Sequence, residues 1–161
     1  MEFIDIVDFD FPNPQDYGLS KAFRVGKDIF MYPRPDKDPR HPSISALRGK
    51  SEIIHNLRRF DLVYLPTYEA DVELITSVVK KGKSFVISLS DIVCRHGSDR
   101  AVMLHRIKRF LQFCRSYKAK VVIASMARSI CEVRSPGEVA GIAEWMGLDR
   151  NQALKAMSWK P

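Results

Sequence analysis

The apolar positions along the chain fall into two kinds of block. Phe3-Ile4-Asp5-Ile6-Val7-Asp8-Phe9, Ile29-Phe30-Met31-Tyr32, Asp61-Leu62-Val63-Tyr64-Leu65-Pro66, the run from Ser84 to Leu89 and the run around Val121-Val122-Ile123-Ala124 are short, apolar and rich in strand formers. They predict strands near 3–9, 29–32, 61–66, 84–89 and 120–125. Between them the apolar positions recur at helical spacing. Roughly Ser45 to Phe60 reads as a helix with Leu47, Ile53, Ile54 and Leu57 inward. Val72, Leu74, Ile75, Val78 and Val79 form a second helix stopped by Gly82. Met103, Ile107, Phe110, Leu111 and Cys114 make one stripe of a long helix ending near Lys118, which Ser98 can cap. Ser135-Pro136-Gly137-Glu138 is a capping box with proline at the first helical position, Gly147 closes that helix, and Asp149 with Gln152 opens one more. Asn13-Pro14 supplies the start of a short early helix. Pro33, Pro35, Pro39 and Pro42 fix φ and remove N–H donors, so 33–42 is expected to be an exposed, mobile loop.

Strands that are apolar throughout, alternating with amphipathic helices, argue for a parallel sheet covered by helices, an α/β fold. A chain of 161 residues has the length of one domain, 1–161. An eight-unit (β/α) barrel usually takes about 200 residues or more, so five strands in this length predict an incomplete or open barrel.

Charge changes the picture. Lys and Arg total 26 and Asp and Glu 19, a formal net charge of +7. Between Cys94 and Lys120 stand Arg95, Arg100, Arg106, Lys108, Arg109, Arg115, Lys118 and Lys120 against the single acid Asp99, so this segment holds the whole excess. A neutral body with one basic element is the pattern of a polyanion-binding surface, with a solvated helix face as the plain alternative. No stretch approaches the roughly 18 uninterrupted apolar residues of a membrane span, and the N-terminus carries acids where a signal peptide would carry Lys or Arg, which predicts a soluble, cytoplasmic chain. Cys94, Cys114 and Cys131 lack CxxC spacing and are expected to be buried, reduced thiols.

Candidate chemistry is sparse. His41, His55, His96 and His105 share no ligand spacing, so no tightly bound metal is expected. Asp5, Asp8 and Asp10 cluster at the first strand and its exit, where carboxylates can hold Mg²⁺ or act as a base; otherwise they cap loops or pair with Lys21 or Arg24. No GxSxG, P-loop or GxGxxG occurs. Cys94 beside Arg95 and His96 is a candidate low-pKa thiol without an identifiable base. After the strand 120–125, Ser125, Arg128, Ser129 and Arg134 lie in a polar loop at a strand's C-terminal end. Arg134 and the free N–H groups of the Ser135-capped helix could meet one phosphate, unless Arg134 pairs with Glu132 or Glu138.

Several motifs in order carry a resemblance. Phe85 to Val93, Gly97-Ser98-Asp99-Arg100, Ile107 to Lys118, Val121 to Ala127, Val133 to Val139, Met146-Gly147-Leu148 and Ala153 to Ser158 together resemble the archaeal ribonuclease P protein component 3 family, related to the 30-kilodalton subunit of the eukaryotic enzyme. The likeness covers residues 84–161. It implies a (β/α) TIM-like barrel of the PHP and amidohydrolase type. Where a PHP metalloenzyme carries HxH on its first strand, this chain has Ile4-Asp5-Ile6-Val7-Asp8, and a late ligand segment is replaced by Ser125-Met126-Ala127-Arg128. An arginine cannot bind a metal but can bind a phosphate.

The resemblance implies a subunit of the ribonuclease P ribonucleoprotein, the endoribonuclease (a hydrolase) of tRNA processing that removes the 5′ leader of precursor tRNA. In it the RNA performs the chemistry with Mg²⁺, and the protein is not catalytic alone. The expected RNA-binding residues are Arg95, Arg100, His105, Lys108, Arg109, Arg115, Lys118, Lys120, Arg128 and Arg134. The implied partners are ribonuclease P RNA, precursor tRNA and the component 2 protein, with which component 3 forms a heterotetramer. The competing reading is a PHP-like metal-dependent phosphoesterase using Asp5, Asp8 and Asp10.

Overall fold

The computed structural model describes residues 2–25, 27–32, 42–45 and 49–159. Leu47, His41 and all of the expected proline loop except Pro42 lie outside the described residues. Among the described residues there are seven strands rather than five, with helices between the later ones: β1 (Ile4–Val7), β2 (Lys21–Arg24), β3 (Phe30–Tyr32), β4 (Ser43–Ser45), α1 (Lys50–Asn56), β5 (Leu62–Tyr64), α2 (Val72–Lys80), β6 (Ser84–Ser88), α3 (Ser90–Val93), α4 (Gly97–Ser116), β7 (Lys120–Ala124), α5 (Pro136–Trp145) and α6 (Arg150–Ala156). The five strands read from the apolar runs are all present within a few residues. The expected early helix is a 3-10 turn, Pro14–Tyr17, with no side-chain cap from Asn13.

Every ladder is parallel, in a two-stranded sheet β1-β2 and a five-stranded sheet β3-β4-β5-β6-β7. The two sheets meet at two seams. Val7 bridges Ala127 just beyond β7, Asp8 N–H donates to the Ala127 carbonyl at 2.7 Å, and at the other side Val25 bridges Ile29. Ile6 (β1), Phe23 (β2), Ile29 ahead of β3, Ile44 (β4), Leu62 (β5), Val86 (β6) and Val122 (β7) pack into one inner cluster. Strands that each send a residue to a common centre have the arrangement of a barrel, although the hydrogen-bonded ladder among the described residues is not continuous around it. The helices cover the outside, where Phe85, Ile87 and Ile123 join Ile75, Ile107 and Phe110 in the larger core.

Two strands escape the apolar pattern for physical reasons. In β2 only Phe23 is buried, so its sequence Lys-Ala-Phe-Arg gives no strand signal. In β4 the two serines flanking Ile44 are buried, and Ser43 is hydrogen-bonded: its Oγ donates to the Arg59 carbonyl at 3.1 Å and its N–H to the Asp61 carboxylate at 3.2 Å. Ser45 therefore ends a strand instead of opening a helix over 45–60. That helix is the shorter α1, with Ile53 buried and Ile54 half-buried; Leu57, its cap residue, is buried too.

Helix starts are partly as expected. The capping boxes Ser135/Glu138 and Asp149/Gln152 are both formed. In α2, Asp71 accepts from Leu74 N–H at 2.9 Å, which makes Val72 the first helical residue and leaves it 45% exposed rather than inward. The long helix α4 begins one residue before Ser98, behind His96, without a side-chain cap; Ser98 lies inside its first turn. Its stripe is as read: Met103, Ile107, Phe110, Leu111 and Cys114 are all buried. Gly147 adopts φ +98° beyond α5, a left-handed position that a side chain would strain. Ser135→Ala removes the cap of α5 and is expected to cost about 1 kcal/mol, read as a lower urea midpoint at unchanged slope.

Candidate nucleic-acid interface

Because all strands are parallel, the barrel has two chemically distinct ends. Strands finish and α2 to α5 begin at the mouth; these helices finish and strands begin at the opposite, strand-start end, where α6, entered directly from α5, brings Gln152 and Lys155 beside Ser84 and Lys120. The ten expected RNA-binding residues are spread over both. Arg95, Arg100, Arg128 and Arg134 lie at the mouth, His105, Lys108 and Arg109 line the outer face of α4, and Arg115, Lys118 and Lys120 lie at the strand-start end. A 20-residue helix separates the two groups by about 30 Å, so the block that is continuous in sequence is not one patch.

The mouth cations are largely engaged. Arg100 Nε donates to the Arg95 carbonyl at 2.6 Å and its terminal nitrogen to the Val93 carbonyl at 3.2 Å, so it closes the α3 to α4 turn. Arg95 Nε donates to the Asp91 carbonyl at 2.9 Å. Arg134 donates to the carbonyls of Cys131 and Val133 at 2.8 and 2.7 Å instead of pairing with Glu132 or Glu138. The Arg128 guanidinium has no hydrogen bond or ion pair among the described residues. His105, Lys108 and Arg109 are exposed and equally unpaired there, and His105 and Arg109 line a groove of about 810 Å³ beside Glu69.

The mouth itself holds a cavity of about 510 Å³ lined by Asp8, Tyr64, Ser88, Ser90, Asp91, Cys94, Arg95, Met126, Arg128 and Glu132. Both Tyr64 and Tyr68 donate their hydroxyls to Asp91, at 2.9 and 2.8 Å, and Tyr68 Oη in turn accepts from Ser88 N–H. Burial and then the Asp91 charge push both phenols up, so they remain donors. Glu132 accepts from Arg128 N–H and from Ser90 Oγ, each at 3.0 Å; the Arg128 bond is the chief reason that its pKa is lowered. Tyr68 and Met126 both hold left-handed φ, 49° and 50°, which for side-chain-bearing residues costs about 1–3 kcal/mol each.

The acid cluster does not assemble. Asp5 is 4% exposed; its Oδ1 accepts Ser125 N–H at 2.6 Å and Ile6 N–H at 2.8 Å, and burial raises its pKa. It stitches β1 to β7 where the backbone ladder lapses. Asp10 pairs with Arg24, and Asp8 is exposed at the mouth. Among the described residues no three His, Cys, Asp or Glu side chains converge as a metal would require. With one acid buried behind backbone donors and another neutralised, the trio does not fit the two-metal chemistry of a phosphoesterase.

Cys94 is exposed, but burial of the sulfur and then Glu132 push its thiol up, the opposite of an activated nucleophile. Cys131 is exposed too; of the three thiols only Cys114 is buried, which pushes it up to about 12. Among the described residues no helix is long and apolar enough to cross a membrane. The tyrosine pair and Asp91 carry no sequence signal, since they converge from β5, the loop after it and α3. Nor do the cations that reach the strand-start end from outside the 95–120 block.

Comparisons with known proteins bear on this arrangement. Residues 51–161 match the family described as RNase P subunit p30. The chain is 31% identical over 153 residues to ribonuclease P protein component 3 of Methanosarcina mazei, covering 90% of this chain and 58% of that protein. To the protein of the same name from Methanosarcina acetivorans it is 30% identical over 126 residues, covering 73% of this chain and 53% of the relative. It therefore spans little more than half the length of these curated relatives. Among solved structures, a chain in the cryo-EM structure of archaeal ribonuclease P with mature tRNA superposes with a TM-score of 0.69 at 12% identity, covering 96% of this chain and 86% of that one. The Aspergillus niger ochratoxinase crystal structure superposes at 0.52 and 14% identity over 82% of this chain and 38% of that one. At these identities the superpositions speak for the fold, which is TIM-like. The sequence match is separate from them: it runs from inside α1 through α6, across the long helix and both capping boxes, and on it the chain belongs to the RNase P subunit p30 family.

Proposed function

We propose that this chain is an RNA-binding protein subunit of the ribonuclease P ribonucleoprotein, supporting removal of the 5′ leader from precursor tRNA in the cytoplasm. The observation that carries the reading is the family match, on a chain whose net charge of +7 stands partly on exposed cations without partners among the described residues. Packed phosphates repel, and each cation brought against them releases counterions and lowers the salt or Mg²⁺ needed for the RNA to hold its active fold. The RNA supplies the reacting groups and its own Mg²⁺; the chain supplies charge and shape, and no residue of it acts as nucleophile or base. The mouth supports this division, because its tyrosines are bound to Asp91, Glu132 is bound to Ser90 and Arg128, and the thiol lining its cavity, Cys94, is pushed away from ionisation. The ten residues Arg95 to Arg134 named above are the candidate contacts. A component 2 protein completes the assembly, as a heterotetramer, with the exposed Trp145 and Ile130 as apolar contacts.

The purified chain, added with component 2 to an archaeal ribonuclease P RNA, is expected to lower the Mg²⁺ concentration at which precursor tRNA is cleaved. An unchanged Mg²⁺ requirement would overturn the reading. A phosphodiesterase activity of the chain alone, lost in Asp8→Asn, would put the phosphoesterase in its place.

A further inference from the structure

Charge is set differently at the two ends. At the mouth acids stand beside helix N-termini, with Asp71 and Glu73 at α2, Asp91 at α3, Asp99 at α4 and Glu138 at α5, among the arginines already placed there. At the other end cations outnumber the acids Asp61, Glu144 and Asp149, of which Asp61 pairs with Lys83 and Glu144 with Arg150. Lys80, Arg115 and Lys155 sit in the last turns of α2, α4 and α6. Helix dipoles account for those three and for Lys81, the C-cap of α2; Arg58 and Lys118 lie one residue beyond the caps of α1 and α4, in the turns ahead of β5 and β7. Arg58, Lys80, Lys81 and Lys155, four of these six, lie outside the basic block 95–120, so the concentration appears only when the fold is known.

At the centre of this end is an apolar slot of about 350 Å³. Its walls are Leu111, Cys114, Val121, Val122, Ala156 and the indole of Trp159, and Arg115, Lys120 and Lys155 form its rim. Trp159 packs edge-on against Phe23 with centroids 6.2 Å apart, and Lys21 Nζ stands 4.4 Å over that same Phe23 ring. Aromatic floor and cations thus occupy one surface. Lys120 and Lys155 are exposed and have no partner among the described residues.

Resting on the RNA-binding reading, we propose that the strand-start end of the barrel is its principal RNA surface, and that the slot takes one unpaired base while the rim cations take the flanking phosphates. A base offers a flat apolar face to the slot and needs few hydrogen bonds, whereas the charge it trails is matched by lysine and arginine on the rim. An acidic peptide fits less well. Its backbone N–H and C=O groups would meet mostly apolar walls, with the Ser84 and Gln152 side chains as the main polar lining below the cations.

The test uses the full chain carrying Trp145→Phe, which leaves Trp159 as the only tryptophan. Oligoadenylate is expected to quench its fluorescence, and inorganic polyphosphate is not. Lys120→Ala with Lys155→Ala is expected to keep the thermal midpoint, weaken oligoadenylate binding and reduce the slope of log K against log salt by up to about 1.4, two contacts at about 0.7 each. Lys108→Ala with Arg109→Ala is expected to cost less. RNA binding without quenching, or with the larger loss in the α4 pair, would overturn the strand-start surface while leaving an RNA-binding subunit in place. Quenching by an oligoglutamate peptide but not by oligoadenylate would make the slot a protein site and overturn the proposal. A parent chain that binds neither oligoadenylate nor ribonuclease P RNA would overturn the functional reading itself.

Discussion

Phe110→Ala is expected to destabilise the fold by about 3–5 kcal/mol, the largest effect of any single change considered. Phe110 lies on the buried stripe of α4, is 1% exposed, and makes edge-to-face contacts with Phe85 of β6 at 5.1 Å and Tyr68 at 6.0 Å. Truncation removes both aromatic contacts, each worth about 0.5–1.5 kcal/mol beyond area, and leaves a cavity between helix and sheet. It also withdraws support from Tyr68, whose left-handed backbone and hydroxyl bonds to Asp91 and Ser88 organise the mouth. The check is chemical denaturation: a midpoint lowered by less than the equivalent of about 1 kcal/mol would mean that α4 is not anchored through this residue.

The second large effect concerns Asp5 and has a pH signature. In the folded chain its carboxyl is buried and its pKa is raised above the ordinary value of 3.8, burial outweighing the bonds from Ser125 and Ile6. A raised folded pKa means that the folded state holds the proton more tightly than the unfolded one. The associated stability is fully present below about pH 3.8 and is lost as pH rises through the folded pKa. Asp5→Ala leaves two buried N–H donors without their acceptor, a cost of about 1–3 kcal/mol for each. Part of that is offset at neutral pH, where the parent chain itself bears a buried charge. The destabilisation by Asp5→Ala is therefore expected to be greatest in acid and to shrink toward neutrality. Denaturation midpoints of the two chains across that range decide it: a difference that grew with pH would show that the carboxylate, not the acid, is the stable form.

The stripe of α4, both capping boxes and five strands are legible in the sequence because each is a local pattern whose period or chemistry is its own signal. What is not legible depends on neighbours. Ser43 and Ser45 look like a polar connection until Arg59 and Asp61 are brought beside the first of them. Val72 has the spacing of a buried residue, and only the Asp71 cap places it at the exposed first turn. The basic segment from Arg95 to Lys120 shows itself as a charge excess, but a charge count has no direction, and the fold divides that segment between the two ends of the barrel. Lys80, Lys81 and Lys155 join Arg115 and Lys120 at one end only through parallel topology, which no window of sequence contains. The Asp91 network is illegible for the same reason: its phenols come from β5 and the following loop, its acid from α3.

The seam between β1 and β7 also bears on how the chain reaches this structure. The bond from Ser125 to Asp5 joins residues 120 positions apart, whereas β5 and β6 are joined across one helix and β6 and β7 across two. Loop-closure entropy rises with that span, and contacts of long sequence separation slow folding. The order of assembly that follows places the β3 to β7 sheet with α2 and α4 first and the docking of the β1-β2 pair last. The docked pair is held by the Val7–Ala127 bridge, the Asp5 carboxylate, the bonds of Asp8 to Ala127, Ser125 Oγ to the Ile6 carbonyl and Ile4 to Met157, and by its apolar side chains, nearly all of them contacts of long sequence separation, so its amide protons are expected to exchange through a lower-energy opening than those of β5 to β7. A barrel whose first two strands detach as one leaf can close around whatever fills its interior after the remainder has formed, so the inner cluster of Ile6, Phe23 and Val122 is sealed in the final step.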